Sequence, residues 1–103
     1  MRNIYEIDIS ETASSGAWSV NSPKLVSCHL KQIIIKAATD STTFDVAITD
    51  WKDNIVFTTD TKATGTHRQE LEVPLKDINT IAVSNSSADE AYTGKIVVEE
   101  SWL

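Results

Sequence analysis

From Ile4 to Val98, short runs of alternating apolar and polar residues recur roughly every ten to fifteen positions, with polar, turn-rich segments between them. No stretch carries a helical period of comparable length. The pattern predicts an all-β protein: an antiparallel β-sandwich of about eight strands, jelly-roll or Ig-like, in a single domain over 1–103. Tyr5, Ile7 and Ile9 share one face of a first strand that ends near Ser10, and Glu11 to Gly16 reads as a polar loop. Trp18 and Val20 mark a second strand, closed by a turn at Asn21-Ser22-Pro23-Lys24.

The longest run is predicted as a strand over about His29 to Ala38, with Ile33, Ile35 and Ala37 inward and Gln32, Ile34 and Lys36 outward; Leu25 to Cys28 is either an entry segment or part of the same strand, and the three consecutive isoleucines favour strand over the alternative, a helix. Phe44, Val46 and Ile48 give the cleanest alternation, and Ile55 to Thr58 follows across a short polar turn, so the two form a hairpin. Thr59 to His67 reads as a Thr-rich loop with Gly65 left-handed. Gln69, Leu71 and Val73 alternate in a strand that Pro74 is expected to end. Leu75 to Asn79 connects, with room for one helical turn. Ile81 and Val83 mark another strand, and Tyr92, Ile96 and Val98 share a face of the last one. Gly94 falls on that same face and predicts a bulge or a close backbone approach.

Composition narrows the class. At 103 residues, with 41% hydrophobic and 23% charged residues, the chain fits one globular domain rather than a disordered segment. The longest apolar runs, such as Ile33-Ile34-Ile35, are far too short to span a membrane as a helix, and no membrane partner is expected. The first residues lack the basic start and apolar stretch of a signal peptide, which predicts folding inside a cell. The net charge of −6, with nine scattered basic residues, argues against nucleic acid as a partner.

Little in the sequence points to chemistry. Cys28 is the sole cysteine, so an internal disulfide is impossible and a Cys-based metal site is not expected. Cys28 adjoins His29, but neighbours on a strand point to opposite faces, so both are read as structural. His67 is placed in a loop beside Arg68 and expected to be solvated. Asp40, Asp50, Asp53, Asp60, Asp77, Asp89 and Glu90 sit in turns. Calcium uses such oxygens, yet the spacing of a calcium loop is absent, and Asp favours turns for backbone reasons. No phosphate-binding glycine motif is present, so no metal, no cofactor and no catalytic residue is assigned and an enzyme is not expected.

The residues left over look like contacts. Trp18 is assigned to the core. Trp51 falls at the predicted hairpin tip, Trp102 and Leu103 follow the last strand, and Ile34 and Val56 are apolar on otherwise polar faces. These five are the candidate partner-binding residues.

Several segments carry a family likeness: Ser10-Glu11-Thr12-Ala13-Ser14-Ser15-Gly16-Ala17-Trp18-Ser19, Phe44-Asp45-Val46-Ala47-Ile48-Thr49-Asp50, Val73-Pro74-Leu75, Ile81-Ala82-Val83-Ser84-Asn85-Ser86-Ser87-Ala88-Asp89 and Gly94-Lys95-Ile96-Val97-Val98-Glu99-Glu100. Together they span most of the chain and resemble small β-sandwich virion structural proteins of tailed bacteriophages. The resemblance implies a capsid decoration (cement) protein, located in the virion and assembled in the host cytoplasm. Its partners would be the major capsid protein or other virion proteins, with a homo-oligomer as a further option. It carries over no functional residue. Tail and connector components share this look. A carbohydrate-binding or host-adsorption module, with Trp51, Asp50 and Asp53 as its site, is the alternative from a different class.

Overall fold

A computed structural model describes residues 4–59 and 63–100. Nine strands follow one another: β1 Ile4–Ala13, β2 Trp18–Asn21, β3 Leu25–Ala37, β4 Thr43–Thr49, β5 Ile55–Thr58, β6 Ala63–Thr64, β7 Thr66–Asp77, β8 Thr80–Ser84 and β9 Glu90–Glu100. A single 3-10 turn, Ser14–Gly16, joins β1 to β2. One sheet has the order β1-β9-β3-β7 and the other β2-β8-β4-β5, with the short β6 also on β4. All pairings are antiparallel.

The pairs are nested. β1 takes β9, β2 takes β8, β3 takes β7 and β4 takes β5, so the two halves of the chain pair in reverse order like one long hairpin. Successive pairs fall in alternate sheets, which rolls that hairpin into a jelly roll. An Ig-like sandwich is thereby ruled out, because its first strand would pair with the second rather than the last.

Between the sheets lies a core of alternating side chains. Phe44, Val46 and Ile48 of β4 and Ile81 and Val83 of β8 face Leu30, Ile33 and Ile35 of β3 and Ile96 and Val98 of β9. Tyr92 sits at one end, its ring edge-on to Phe44 at 5.2 Å and tilted against Trp18 at 5.9 Å. Each large side chain so buried contributes roughly 1.5–3 kcal/mol. Gly94 lies opposite Ile35, where β9 runs beside β3. A Cβ there would stand 2.1 Å from the carbonyl oxygen of Ile34, so the close approach expected at this glycine is present.

Two strands run further than the residue types suggested, and a third is interrupted. β1 continues through Glu11 and Thr12 to a buried Ala13, where a loop was expected. The stretch pairs residue for residue with β9 as far as Glu90, and that ladder outweighs the weak strand preference of Glu11 and Ala13. β7 continues through Pro74 to Asp77, and the expected helical turn is absent. It is an edge strand, where a residue without an N–H costs no ladder bond on the open side. β3 starts at Leu25, the longer of the two expected courses, and carries a register shift around Lys31. The inward set therefore changes parity, from Cys28 and Leu30 to Ile33, Ile35 and Ala37, without leaving the core.

Candidate functional site

The apolar surface concentrates at one corner of the β1-β9-β3-β7 sheet, where β1 and β3 begin and β9 ends. A second register shift, between Leu25 and Cys28, throws Val26 out of the inward phase and leaves it 78% exposed. At the start of β1, Ile4 is 64% and Tyr5 44% exposed, on opposite faces of the sheet as strand neighbours are. Tyr5 was expected inward with Ile7 and Ile9. It lies instead near the end of the strand, and its hydroxyl donates to Glu100 Oε2 at 3.0 Å. Tyr5, Ile7, Pro23, Leu25 and Val26 line a shallow cleft of about 330 Å³, with Cys28 and the charged Glu6, Lys24 and Glu100 also on its wall.

The chemistry of this corner is passive. Cys28 is buried, and desolvation, reinforced by the negative charge of Glu100, pushes its thiol above the ordinary range. A thiol held neutral in this way is a poor nucleophile. His29 is the next residue along β3, half-buried, and it registers with Glu99 and Pro74. Among the described residues no group of three His, Cys, Asp or Glu side chains is placed to hold a metal ion, and no helix is long and apolar enough to cross a membrane.

His67 corrects the sequence reading. It lies on β7, not in a loop, in register with the buried Ile35. Its ring packs 5.8 Å from Phe57 of β5, and its Nε2 is buried without a hydrogen-bond partner. The cause is local: Gly65 takes a φ of 69° and turns the chain at once into β7, leaving no loop at His67. The histidine thus fills the seam between the two sheets rather than facing water.

The proposed contact residues do not converge. Trp51 is half-buried in the β4–β5 turn, with the Lys76 ammonium 5.3 Å from the centre of its ring. Asp50 is committed to the same turn. Its Oδ1 accepts from the backbone N–H groups of Lys52 and Asn54, both at 2.9 Å. Those bonds, Asn54 first, hold its carboxyl below the usual carboxylate range. Asp53 has a φ of 63°, a turn role. Val56 is the extra residue of a bulge, since Ile48 pairs with Phe57 and Thr49 with Ile55. It therefore leans onto the core instead of standing on a polar face. Ile34 is half-buried on the outer face of the other sheet, between Arg68 and Lys95 in register. Trp102, Leu103 and Asp60 lie outside the described residues.

Sequence reasoning missed Val26, Ile4 and Tyr5. Alternation places Val26 in phase with Cys28 and Leu30, and a bulge leaves no mark in alternation.

No protein-family model matches the chain, and neither does any curated protein sequence. Solved structures similar in chain path include one of the infectious bursal disease virus Gx strain, at 12% identity and a TM-score of 0.47, covering 96% of this chain and 32% of that one. The VP2 subviral particle of the same virus is similar at 16% identity and a TM-score of 0.46, over 96% of this chain and 33% of that one. A virus-like particle of the Macrobrachium rosenbergii extra small virus is similar at 10% identity and a TM-score of 0.31, over 99% of this chain and 81% of that one. The chain spans about a third of the length of the first two.

Proposed function

We propose that this chain is a non-enzymatic virion structural protein, a capsid decoration or cement protein that binds the assembled particle. The single observation that carries the contact role is the cleft lined by Tyr5, Ile7, Pro23, Leu25 and the exposed Val26. Contiguous apolar surface of this kind marks a binding surface more often than it marks chemistry. The sequence likeness to phage virion proteins supplies the particle as the partner. The jelly roll is used by capsid and lectin domains alike, so the fold leaves the choice to the site. In mechanism, each bound copy would stabilise the assembled shell over its separated subunits by mass action, because it binds only the assembled state.

Mass spectrometry of purified intact particles tests the reading, with a Val26→Glu variant beside the wild type. The expected result is the chain present on wild-type particles and depleted at least tenfold for the folded variant. Its absence from intact particles would overturn the proposal, and antibody labelling confined to tails would replace decoration by a tail role.

A further inference from the structure

The two sheets differ sharply in charge. In β2, β4, β5 and β8 the only charged residue is Asp45. Its carboxylate is occupied on the spot, accepting from Asn85 Nδ2 at 2.7 Å. The other sheet carries Glu6, Asp8, Lys36, Arg68, Glu70 and Lys95 at outward positions, with Lys95 paired to Glu6 at 3.0 Å. A solvated sheet face normally carries charges of both signs, and this one does.

On the neutral sheet the register aligns two outward rows. Ser19, Ala82, Ala47 and Thr58 lie side by side across all four strands, and Asn21, Thr80, Thr49 and Ile55 form the next row. Ala82, Ala47, Thr80 and Thr49 are half-buried, while Ile55 at the end of its row is 68% exposed. Thr80 already donates to Asn21 at 3.0 Å within the row.

We infer that this outer face of the β2-β8-β4-β5 sheet is a self-association surface whose occupant is the same face of a second copy. Charge selects the occupant. Two chains of net charge −6 repel wherever acidic surface meets acidic surface, and this face brings the fewest charges together: one Asp45 per copy, in the outward row it shares with Ser84 at the margin of the patch. The side chains are also self-complementary, since Ser, Thr and Asn each donate and accept and an identical face can satisfy them across a two-fold axis. Low side chains let the sheets pack at close range. Four strands of about five residues present about 300 Å² per copy, well under the roughly 800 Å² of a standard interface, so the association is weak. Screening the overall repulsion with salt strengthens it.

The experiment is a dilution series of the full chain from roughly 1 mM to 10 μM, read by sedimentation velocity and by two-dimensional amide NMR. Dimer should form toward the top of the range and increase with added salt, with concentration-dependent shifts confined to β2, β8, β4 and β5. Ala82→Glu, and Thr49→Lys as a second variant at the side of the patch, should cut dimer formation at least fivefold while keeping the wild-type fold by circular dichroism. Val26→Glu should leave it unchanged, which separates this surface from the particle-binding corner. A monomer throughout the range, shifts that map to β1 and β3, or loss of dimer in Val26→Glu alone would overturn the inference.

Discussion

Ser22 and Asn79 hold the two connections at one end of the barrel against each other. The backbone N–H of Ser22 donates to the carbonyl of Asn79 at 2.7 Å, and the backbone N–H of Asn79 donates back to Ser22 Oγ at 3.0 Å. Asn79 is buried, and its Nδ2 also donates to the carbonyls of Lys76 and Asp77 at 3.3 and 3.2 Å. The latch ties the entry to β3 to the link between β7 and β8, beside the corner proposed to bind the particle. Removing the amide leaves two part-buried carbonyls without their donor, which costs about 1–3 kcal/mol. Asn79→Ala should therefore lose about that much in urea unfolding, and Ser22→Ala about 1 kcal/mol. The double variant should lose less than the sum, because the two share bonds.

A second prediction concerns alkali. Burial raises the pKa of both Cys28 and Tyr92, from ordinary values of 9.0 and 10.0. Folded protein therefore holds these protons more tightly than unfolded protein. The stability so contributed is complete below the unfolded values and is lost as pH rises through the folded ones. Unfolding free energy should thus fall progressively above about pH 9. Cys28→Val should flatten the first part of that decline, which denaturant titrations at closely spaced pH values would show. The same burial predicts that a thiol reagent labels Cys28 in native protein at least a hundredfold more slowly than in urea.

The Trp51–Lys76 stack yields a third. A partly exposed cation on an indole face is worth about 0.5–1 kcal/mol. Lys76→Ala should lower stability by about that amount and alter Trp51 fluorescence, with Trp51→Phe as the reference for assigning the emission. The stack also bears on sugar binding, because Lys76 sits over the ring and the Asp50 carboxylate is engaged by the turn. A glycan array with wild type, Lys76→Ala and Trp51→Ala should show no binding. Binding that Trp51→Ala abolishes would replace the particle-contact reading with the lectin one.

Much of the sandwich was legible because alternation is a direct image of a half-buried strand. Phe44-Val46-Ile48, Ile81-Val83 and Ile33-Ile35 all face inward as their spacing requires. Departures arise where the backbone breaks the two-residue period. The shift near Lys31 changes the parity of β3, the one before Cys28 ejects Val26, and the one at Val56 turns it onto the core. Strand ends were illegible for a different reason: Glu11 and Pro74 are poor strand residues on their own and are held by their partners. The apolar corner was missed for both reasons at once, since it is built from strand ends and a bulge. The neutrality of the second sheet was present in the sequence all along. It becomes visible only when β2, β8, β4 and β5 are known to be neighbours, because they are scattered along the chain.

The last prediction tests the close pairing of β9 and β3. Gly94 registers with Ile9 on one side and Ile35 on the other, so it sits in the middle of three strands. A Cβ there would meet the Ile34 carbonyl oxygen at 2.1 Å and the Ile35 Cα at 3.1 Å, both backbone atoms that cannot swing aside. Relief would require β9 to lift from β3, opening the ladder that carries Ile96 and Val98 into the core. Overpacking of this kind costs about 3 kcal/mol, the upper end of its usual range. In a domain of this size each kcal/mol lowers Tm by roughly 4–8 °C. Gly94→Ala should accordingly melt well over ten degrees below wild type. Thr93→Ala, one residue away and exposed, should change stability by less than about 0.5 kcal/mol. A Gly94→Ala protein with a wild-type melting curve would mean that β9 does not lie this close to β3.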